Sequence, residues 1–449
     1  MLIKMCNVFI VGCAVGIASA SPDLICSEIN GATSFGFVDG KVAYSFGTTV
    51  CNIGDAPVDW VAETNQHPLF SQTLYKLKDR QLTQIGIGFV RHATIPLASN
   101  ACGLDCTPAG FDALGAGCST SNASSINGSQ GSMGPRTEIN AFTGDFPYPF
   151  TSIGQTGNAI YKRLQVDLAD VSDPDALYFI ETQIITSAET DPANRTNNAS
   201  YRQVIFSPGS ANASLVGPTY AQQPAIFAMR DHGNGIGVPD PSVLINQKNI
   251  PDDGTIHVAT GITELDDGTW RYNYAVHNQN TQRSIGSIMI PIGFNQSATS
   301  RAFNDVDYHD DLDELIDGTD WAQGQFDPDG EWHTIETYET NPLGNAIRWG
   351  TTYSFSFVSD YEPMNKAMLV RFFAPGDTDG PDSMTIGIMG PINPCIPNID
   401  PDPALNFFDI TQFITAFMQM DLNVDFNGDG ILDFFDLSIY IQAFHAGCP

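Results

Sequence analysis

The chain has 449 residues, of which 42% are apolar and 16% charged, and its formal net charge at pH 7 is −32. This length exceeds one typical domain and allows a large buried core. The charge disfavours nucleic acids and anionic membranes as partners, because an acidic surface repels both, and it favours cations. The 41 Gly and 28 Pro indicate many turns rather than long helices.

Residues 1–20 are typical of a secretory signal peptide. Lys4 precedes an apolar run, and Ala18-Ser19-Ala20 provides a cleavage site. The mature chain then starts at Ser21, and losing one Lys and no acid takes its charge from −32 to −33. The alternative is a lipoprotein signal processed at Cys13, whose apolar run would be very short. We expect a secreted protein, extracellular or associated with the cell surface, with no transmembrane segment, since no later apolar run reaches ~18 residues.

The cysteines of the mature chain predict disulfides, because exported proteins typically oxidise their cysteines. Three of them lie in one Gly/Ser/Asn-rich segment that we expect them to staple. Cys395 and Cys448 bracket the acidic C-terminal unit, and we expect a disulfide between them to tie its ends. The odd number leaves one thiol unassigned. The cysteines after the signal are Cys26, Cys51, Cys102, Cys106, Cys118, Cys395 and Cys448.

Residues 21–391 form a β-rich region whose function is not evident from its pattern. Residues 74–92 predict a hairpin, residues 93–149 a long loop, and helical periodicity is almost absent before Asp400. We predict a mostly β fold with a large antiparallel β-sandwich or jelly-roll region, either as one unit or as two sandwiches divided near Tyr220. The clearest strand pattern is 270–277, in which one face carries Trp270, Tyr272, Tyr274 and Val276.

The histidines of this region are scattered, without the H-x-H or H-x₃-H spacing of paired ligands. A metal site would therefore need distant strands to converge, and polar or hydrogen-bonded roles are commoner. These histidines are His67, His92, His232, His257, His277, His309 and His333.

Acidic and aromatic clusters follow near residue 304. The run 304–314, with Glu331, Glu336 and Glu339 beyond it, could supply a carboxylate pair for glycoside cleavage, although a solvated acidic loop is commoner in a chain with 51 acids. Tryptophans could stack on sugars if exposed, but buried Trp is commoner in a sandwich. No catalytic motif is present, so a polysaccharide-active hydrolase stays an open possibility. The aromatic residues are Tyr308, Trp321, Trp332, Tyr338 and Trp349.

The strongest signal is the twelve-residue segment 425–436. Oxygen-bearing side chains occupy positions 1, 3, 5, 9 and 12, Gly430 at position 6 allows a sharp turn, and position 7 offers its carbonyl. This pattern predicts a structural Ca²⁺ site. Its predicted ligands are Asp425, Asn427, Asp429, Ile431, Asp433 and Asp436.

An offset of 27 residues reveals a second, degenerate copy upstream, in which Pro403 replaces the glycine. We expect weaker or altered metal binding there. Its candidate ligands are Asn398, Asp400, Asp402, Ala404 (through its carbonyl), Asn406 and Asp409. Each loop leads into a helix with apolar residues at i, i+3, i+4 and i+7, and the two stripes should pack together. The stripes are Ile410, Phe413, Ile414 and Phe417, and Leu437, Tyr440, Ile441 and Phe444.

With its doubled loop–helix pattern and its Gly447-Cys448-Pro449 end, segment 395–449 resembles the bacterial GC-type dockerin domains. The resemblance implies an EF-hand-like domain, here 392–449, that binds calcium and docks onto a cohesin-type receptor. Loop positions 10 and 11 help dockerins to select the partner, and here both copies carry a Phe pair. These pairs should form an apolar docking surface with two pseudo-twofold orientations, unless one Phe of each pair packs into the helical core. They are Phe407, Phe408, Phe434 and Phe435.

Residues 30–390 also resemble a group of uncharacterised secreted bacterial proteins that carry the same dockerin, which implies no activity. Two functions are therefore compatible with the sequence. One is a polysaccharide-directed protein, acting in catabolism or binding, that its dockerin delivers to an extracellular assembly. The other is a non-catalytic structural or surface protein that uses the dockerin only for attachment. The matching pieces are 48–54, 65–68, 74–79, 114–118, 126–130, 134–136, 274–278 and 345–350.

Overall fold

The computed structural model describes residues 20–293, 298–308, 316–324, 329–376, 381–392, 395–400 and 404–448. The predicted signal peptide up to residue 19, His309, most of the acidic run 304–314, Asp402 and Pro403 lie outside the described residues. The described chain is mostly β, in several antiparallel sheets, as the sequence predicts. None of its described helices is long and apolar enough to cross a membrane.

The N-terminal half forms one large antiparallel sheet and a small ribbon. The sheet runs in the order β1-β2-β10-β5-β4-β11-β12-β13, with β6, β8 and β9 attached at its sides, and β3 pairs with β7. The strands are β1 (Leu24–Val38), β2 (Lys41–Asn52), β3 (Val58–Asp59), β4 (Leu69–Lys78), β5 (Gln81–Ile87), β6 (Val90–His92), β7 (Ala113–Leu114), β8 (Ser119–Asn122), β9 (Met133–Gly134), β10 (Leu164–Asp167), β11 (Leu177–Ile185), β12 (Ala199–Phe206) and β13 (Ala213–Tyr220).

This sheet curls until its two ends meet. The Ile29 backbone N–H on β1 donates to Thr219 Oγ1 on β13 at 3.0 Å, and Arg202 Nη1 on β12 donates to the Ile29 carbonyl at 2.6 Å. Curling hides one face from water and builds a core around Tyr44, Phe46, Val50, Leu74, Ile180 and Val204.

The expected long loop 93–149 contributes two short strands, β8 and β9, to this sheet and one, β7, to the ribbon. It contains β7, β8, β9 and the short helix α1 (Ser124–Asn127). A disulfide between Cys106 and Cys118 staples it, and another joins Cys102 to Cys51 on β2. Cys26 is buried and lies outside the disulfides.

The chain leaves β13 at Tyr220, near the position where the sequence allows a subdivision, and continues through α2 (Ala228–Asp231). Two five-stranded sheets then face each other in a sandwich, one ordered β14-β15-β16-β21-β18 and the other β19-β20-β17-β22-β23. The strands are β14 (Leu244–Ile250), β15 (Gly254–Glu264), β16 (Trp270–Asn278), β17 (Ile285–Pro291), β18 (Thr299–Asn304), β19 (Ala322–Gln323), β20 (Asp329–His333), β21 (Thr351–Ser359), β22 (Pro363–Phe372) and β23 (Ser383–Pro391). Their shared core includes Tyr272, Tyr274, Phe355, Phe357, Ile288, Ile290, Met368 and Val370.

Strand β16 has the predicted alternation, and both of its faces are buried. Tyr272 and Tyr274 point into the sandwich core, whereas Ala275 belongs to a second core shared with the curled sheet. The predicted hairpin is also present as β4 and β5, joined by Asp79 and Arg80, both with positive φ, as in the mirror-image turns of tight hairpins.

The β4–β5 hairpin is what covers the outer face of the sandwich. Gln84 Oε1 accepts a hydrogen bond from the Thr352 backbone N–H at 2.7 Å, and Asn273 Nδ2 donates to the Asp79 carbonyl at 3.1 Å. Thus the curled sheet and the sandwich share a mixed apolar and hydrogen-bonded interface.

The C-terminal unit, residues 395–448, contains helices α3 (Phe407–Met418) and α4 (Phe434–Ala446). Phe413 and Tyr440 stack with ring centroids 4.0 Å apart, so the two helices pack together as predicted. The predicted stripes are wrong at Ile414 and Ile441, which are 50% and 46% exposed. Phe426 and Val424 from the segment between the helices fill the core instead.

Glu189 makes stability depend on pH. Its buried carboxylate accepts hydrogen bonds from the Leu24 N–H at 2.5 Å and from Asn198 Nδ2 at 2.6 Å, and burial raises its pKa to about 8. An unfolded Glu titrates near 4.3. The folded state therefore keeps a proton that the unfolded chain releases, so this group's stabilisation is present below about pH 4 and is lost as pH rises through about 8.

We expect Glu189→Gln to flatten the decline in unfolding free energy between pH 5 and 8, a decline of at most about 1.4 kcal/mol per pH unit. Urea unfolding at several pH values measures it, and Glu264→Gln, at an exposed strand end, is the control. The same slope in Glu189→Gln and wild type would contradict the assignment.

Candidate functional site

The loop 425–436 is organised around two buried carboxylates, and Asp425 is the first. Its Oδ1 accepts the Gly428 N–H at 2.9 Å and its Oδ2 accepts the Gly430 N–H at 2.8 Å. Burial raises its pKa, the two backbone donors lower it, and the neighbouring Asp436 and Asp429 carboxylates raise it further. A cation at this loop would relieve that repulsion.

Asp436 is the second buried carboxylate of the loop. Its Oδ1 accepts the Phe426 N–H at 2.9 Å and its Oδ2 accepts the Asp433 N–H at 3.0 Å. Asp433 in turn caps α4 by accepting the Phe435 N–H at 2.7 Å, so the two residues form a capping box. The carboxylate at position 12 thus ties both ends of the loop to the helix.

The remaining predicted ligands of this loop are shallower. Asn427 Nδ2 donates to Asp429 Oδ2 at 2.9 Å, and Asp429 Oδ1 accepts the Ile431 N–H at 2.8 Å. All six predicted positions therefore lie in one compact loop of oxygen donors, the chemistry that Ca²⁺ prefers. Within the described residues, however, no group of three or more His, Cys, Asp or Glu stands in a metal-holding arrangement.

The upstream copy repeats the arrangement of the position-12 carboxylate. Asp409 is buried, its Oδ1 accepts the Ile399 N–H at 2.9 Å, and its Oδ2 accepts the Asn406 N–H at 2.8 Å. Asn406 Nδ2 donates to the Ala404 carbonyl at 2.8 Å, and Asn398 Oδ1 is buried with no hydrogen-bond partner in the described part of the chain. The two loops are thus alike where they join their helices.

The two Phe pairs stand at the first turns of α3 and α4. Phe407 and Phe408 are 72% and 67% exposed, and Phe434 and Phe435 are 73% and 64% exposed. The alternative, in which one ring of each pair packs into the helical core, is therefore wrong. Four large apolar side chains occupy equivalent positions in the two repeats and face solvent.

The second loop also packs closely against the sandwich, which the sequence did not predict. Gly428 lies against the Asn365 carbonyl of β22, and Gly430 lies against Thr385 of β23, where an added Cβ would approach within 2.5 Å and 2.6 Å respectively. Beside them Lys366 is buried; burial lowers its pKa to about 8, and Asp425 is the charge that opposes the shift. Glycine is needed here for close approach as well as for its positive φ.

Four of the described histidines form two pairs. His67 and His92 have ring centroids 5.4 Å apart, and His257 and His277 are cross-strand partners at 5.9 Å. Burial lowers the pKa of His92 and of His277 to about 3 and that of His257 to about 4, so these rings are neutral at physiological pH. The register between β15 and β16 places His257 opposite His277. This pair can therefore be recognised only once the fold is known.

The acidic residues of the second half have separate partners. Asp305 accepts a hydrogen bond from Asn345 Nδ2 at 2.5 Å, and Glu331 pairs with Arg371 at 2.9 Å. Glu336 accepts from Asn341. The described carboxylates of this stretch are therefore engaged with different groups rather than with a shared substrate position.

The tryptophans near residue 304 are buried, so they do not present exposed rings that could stack on sugars. Trp332 lies in the sandwich core, and Trp321 donates to the Asn345 carbonyl at 2.5 Å. Trp349 donates through Nε1 to the Arg136 carbonyl at 3.1 Å, across 213 residues of sequence.

That contact is part of a cavity that sequence reasoning missed. A space of about 410 Å³ opens between the curled sheet and the sandwich. Its lining includes Arg136, Arg283, Tyr308, Tyr338, Arg348 and Trp349. The sequence shows the 134–136 and 345–350 segments separately, and only the packing of the two sheet systems brings them together.

No family model matches the chain, and no curated protein matches it. Among solved structures, the chain is similar to the exo-chitosanase CsxA of Amycolatopsis orientalis, with 7% identity and a TM-score of 0.17 over 76% of this chain and 25% of that chain. A complex of a variant of the same enzyme with PNP-beta-D-glucosamine gives the same identity, TM-score and coverage. The chain spans about a quarter of the length of the chitosanase chain, and a similarity at this TM-score carries no argument about function.

We expect Gly428→Ala to loosen the second loop from the sandwich. The added Cβ must move away from the Asn365 carbonyl, and φ of +71° adds backbone strain of about 1–2 kcal/mol. Hydrogen exchange in residues 425–436 should accelerate at least tenfold. Gly209→Ala, at φ of +76° with nothing within 4 Å, introduces similar strain without the collision and should leave this segment protected. Equal effects of the two substitutions would show that the contact does not hold the loop.

Proposed function

We propose that this protein is an extracellular attachment protein whose C-terminal unit is an EF-hand-like dockerin. Calcium shapes that unit, and its exposed phenylalanines dock onto a cohesin-type receptor. The β-rich region is then the cargo, directed at polysaccharide. The observation that carries the proposal is the equivalent exposure of the two Phe pairs, one at the start of each helix.

Exposed phenylalanines are costly unless a partner covers them. Burying one Phe side chain is worth about 1.5–3 kcal/mol, so four rings represent a large unused apolar area on so small a unit. Both pairs adjoin a carboxylate-organised loop, which holds each helix start rigidly. Rigid, pre-positioned apolar side chains suit a docking surface because little entropy is lost when they are covered.

Calcium fits the second loop by the chemistry of its donors. Asp425, Asn427, Asp429, Asp433 and Asp436, with the Ile431 carbonyl, would hold the ion, and a bound cation would offset the mutual repulsion of the buried acids. The first loop keeps Asp409 and Asn406 in the same relation to its helix, and we propose a weaker site there.

The disulfides support an extracellular location. The Cys395–Cys448 bridge ties the two ends of the C-terminal unit across 53 residues, and such a closure stabilises a unit whose own core is small. Disulfides persist in oxidising compartments, which agrees with the predicted signal peptide.

A second candidate is a structural or surface protein that uses its C-terminal unit only for attachment. It is favoured by the described acids of the sandwich, whose hydrogen-bond and ion-pair partners differ from one residue to the next. Under either function the attachment device is the same.

Calcium titration of the full mature chain tests the metal proposal. We expect one firm site by calorimetry, at least tenfold weakened in Asp429→Ala, because that residue supplies an exposed ligand oxygen without holding the core. Asp421→Ala is the matched control, since Asp421 caps a turn of the same unit but is not a predicted ligand. No heat of binding at millimolar Ca²⁺, or equal binding by Asp429→Ala, would overturn the proposal.

Receptor binding tests the Phe pairs, measured by surface plasmon resonance against a panel of purified cohesin domains. If the two orientations are equivalent, replacing one pair by Ser should weaken binding only about twofold, and replacing both pairs should weaken it at least 100-fold. Thermal stability should not fall, because the rings are exposed. Met418→Ser, another exposed apolar residue of α3, is the control. A variant lacking all four rings that still binds like wild type would refute the docking surface.

A further inference from the structure

We propose that the cavity between the curled sheet and the sandwich binds a carboxylated sugar ring, a uronic acid, with Arg136 and Arg348 as its cationic recognition groups. This inference rests on the proposed function in one respect: it names the ligand class of the polysaccharide-directed region. It uses no residue of the C-terminal unit.

The described residues that line the cavity carry a charge opposite to that of the chain. The protein has 51 acidic residues against 19 Lys and Arg, yet three arginines and no Asp or Glu are found among the described residues that line the cavity. Arg283 is partly neutralised by Asp382 at 3.6 Å. For Arg136 and Arg348, the described part of the chain provides no carboxylate within 4 Å.

The nearest buried acid does not cancel this charge. Glu181 acts on Arg136 from inside the curled sheet, but burial raises the pKa of Glu181 to about 7, so near neutral pH a large fraction of it is uncharged. Burial lowers the pKa of Arg136 to about 10, which still leaves its guanidinium charged. Tyr308, which lies near both Arg136 and Arg348, is neutral because burial raises its pKa. The net charge of the described lining is therefore positive.

Both guanidinium groups are fixed in place by hydrogen bonds to backbone carbonyls. Arg136 Nε donates to the Gly88 carbonyl at 2.8 Å and Nη2 to the Gln72 carbonyl at 3.2 Å, whereas Nη1 is buried and has no hydrogen-bond partner among the described residues. Arg348 Nη2 donates to the Pro342 carbonyl at 2.8 Å, and the described part of the chain provides no hydrogen-bond partner for its buried Nε.

A carboxylate in the cavity would be attracted by the positive lining and would accept a charge-assisted hydrogen bond from a guanidinium that faces it. Arginine suits this role because its planar fork matches carboxylate geometry. Gly350 leaves the room that Arg136 needs, since a side chain there would collide with Nη1.

The rest of the lining is aromatic, which selects a ligand with an apolar face. The Arg136 guanidinium lies 4.9 Å from the Trp349 ring centroid, and Tyr338 packs edge-on against Phe373 at 5.7 Å. A volume of about 410 Å³ falls in the range of small-molecule pockets, roughly 300–1,000 Å³. A pyranose ring has an apolar C–H face for such walls, and a uronic acid adds the carboxylate that the arginines require.

The test is binding of a galacturonate trimer to the full mature chain, compared with a neutral galactose trimer and with galactose 6-phosphate, by calorimetry and tryptophan fluorescence. We expect the uronate to bind at least tenfold more tightly than the neutral sugar. Raising ionic strength from 50 to 500 mM should weaken uronate binding, because salt screens the attraction. Arg348→Gln should weaken uronate binding at least tenfold without changing neutral-sugar binding. Arg271→Gln, an exposed arginine outside the cavity, should leave it unchanged.

Equal binding of the neutral and acidic sugars, no uronate binding at 10 mM, or wild-type binding by Arg348→Gln would overturn the proposal. Tighter binding of the phosphate sugar would also overturn it, in favour of a phosphate site. If Arg348→Gln fails to fold, Tyr338→Ala, at a position 36% exposed, removes one wall and should weaken binding of all sugars. The proposed calcium and docking properties are measured separately, so loss of either would not imply loss of uronate binding.

Discussion

The arrangement of the molecule depends on the packing of the β4–β5 hairpin against β16 and β21. These central strands of one sandwich sheet are buried on both faces, by the sandwich core on one side and by the curled sheet on the other. The contact is not purely apolar: Gln84 and Asn273 exchange hydrogen bonds with backbone groups across it. Such bonds fix register, because a slip would leave buried polar groups unpaired. The cavity exists because the two sheet systems are held in this one relation.

A different constraint holds the C-terminal unit. Asp409 and Asp436 are both buried, and each binds backbone N–H groups at the two ends of its own loop. A loop tied to the start of its helix in this way fixes the helix start, and with it the direction of the neighbouring Phe pair. The second loop has a further support in the sandwich surface near Asn365 and Thr385. The C-terminal unit is thus seated on the β region at its second loop, while its four phenylalanine rings stay exposed.

Much of the local structure could be predicted from the sequence, because it depends on local periodicity. The alternation in β16, the hairpin turn at Asp79 and Arg80, and the two loop–helix repeats all follow from residue spacing. Side-chain surroundings could not be predicted in this way. Ile414 and Ile441 fit a helical stripe but are exposed, because Val424 and Phe426, between the helices, fill the space that the stripe was expected to fill.

The cavity could not be predicted from the sequence for a related reason. Arg136 and Trp349 are 213 residues apart in the sequence. The sequence around each of them contains no motif typical of a ligand-binding site. The sequence suggested an acidic protein that repels anions, and over long distances the net charge of −32 supports that view. Among the described residues that line the cavity the balance reverses. Screening in physiological salt limits the reach of exposed charges to about 8 Å, whereas partly buried arginines act on a ligand at contact with little intervening water. A long polyanion would meet the acidic surface outside, so the same reasoning favours a short, terminal uronate over an extended chain.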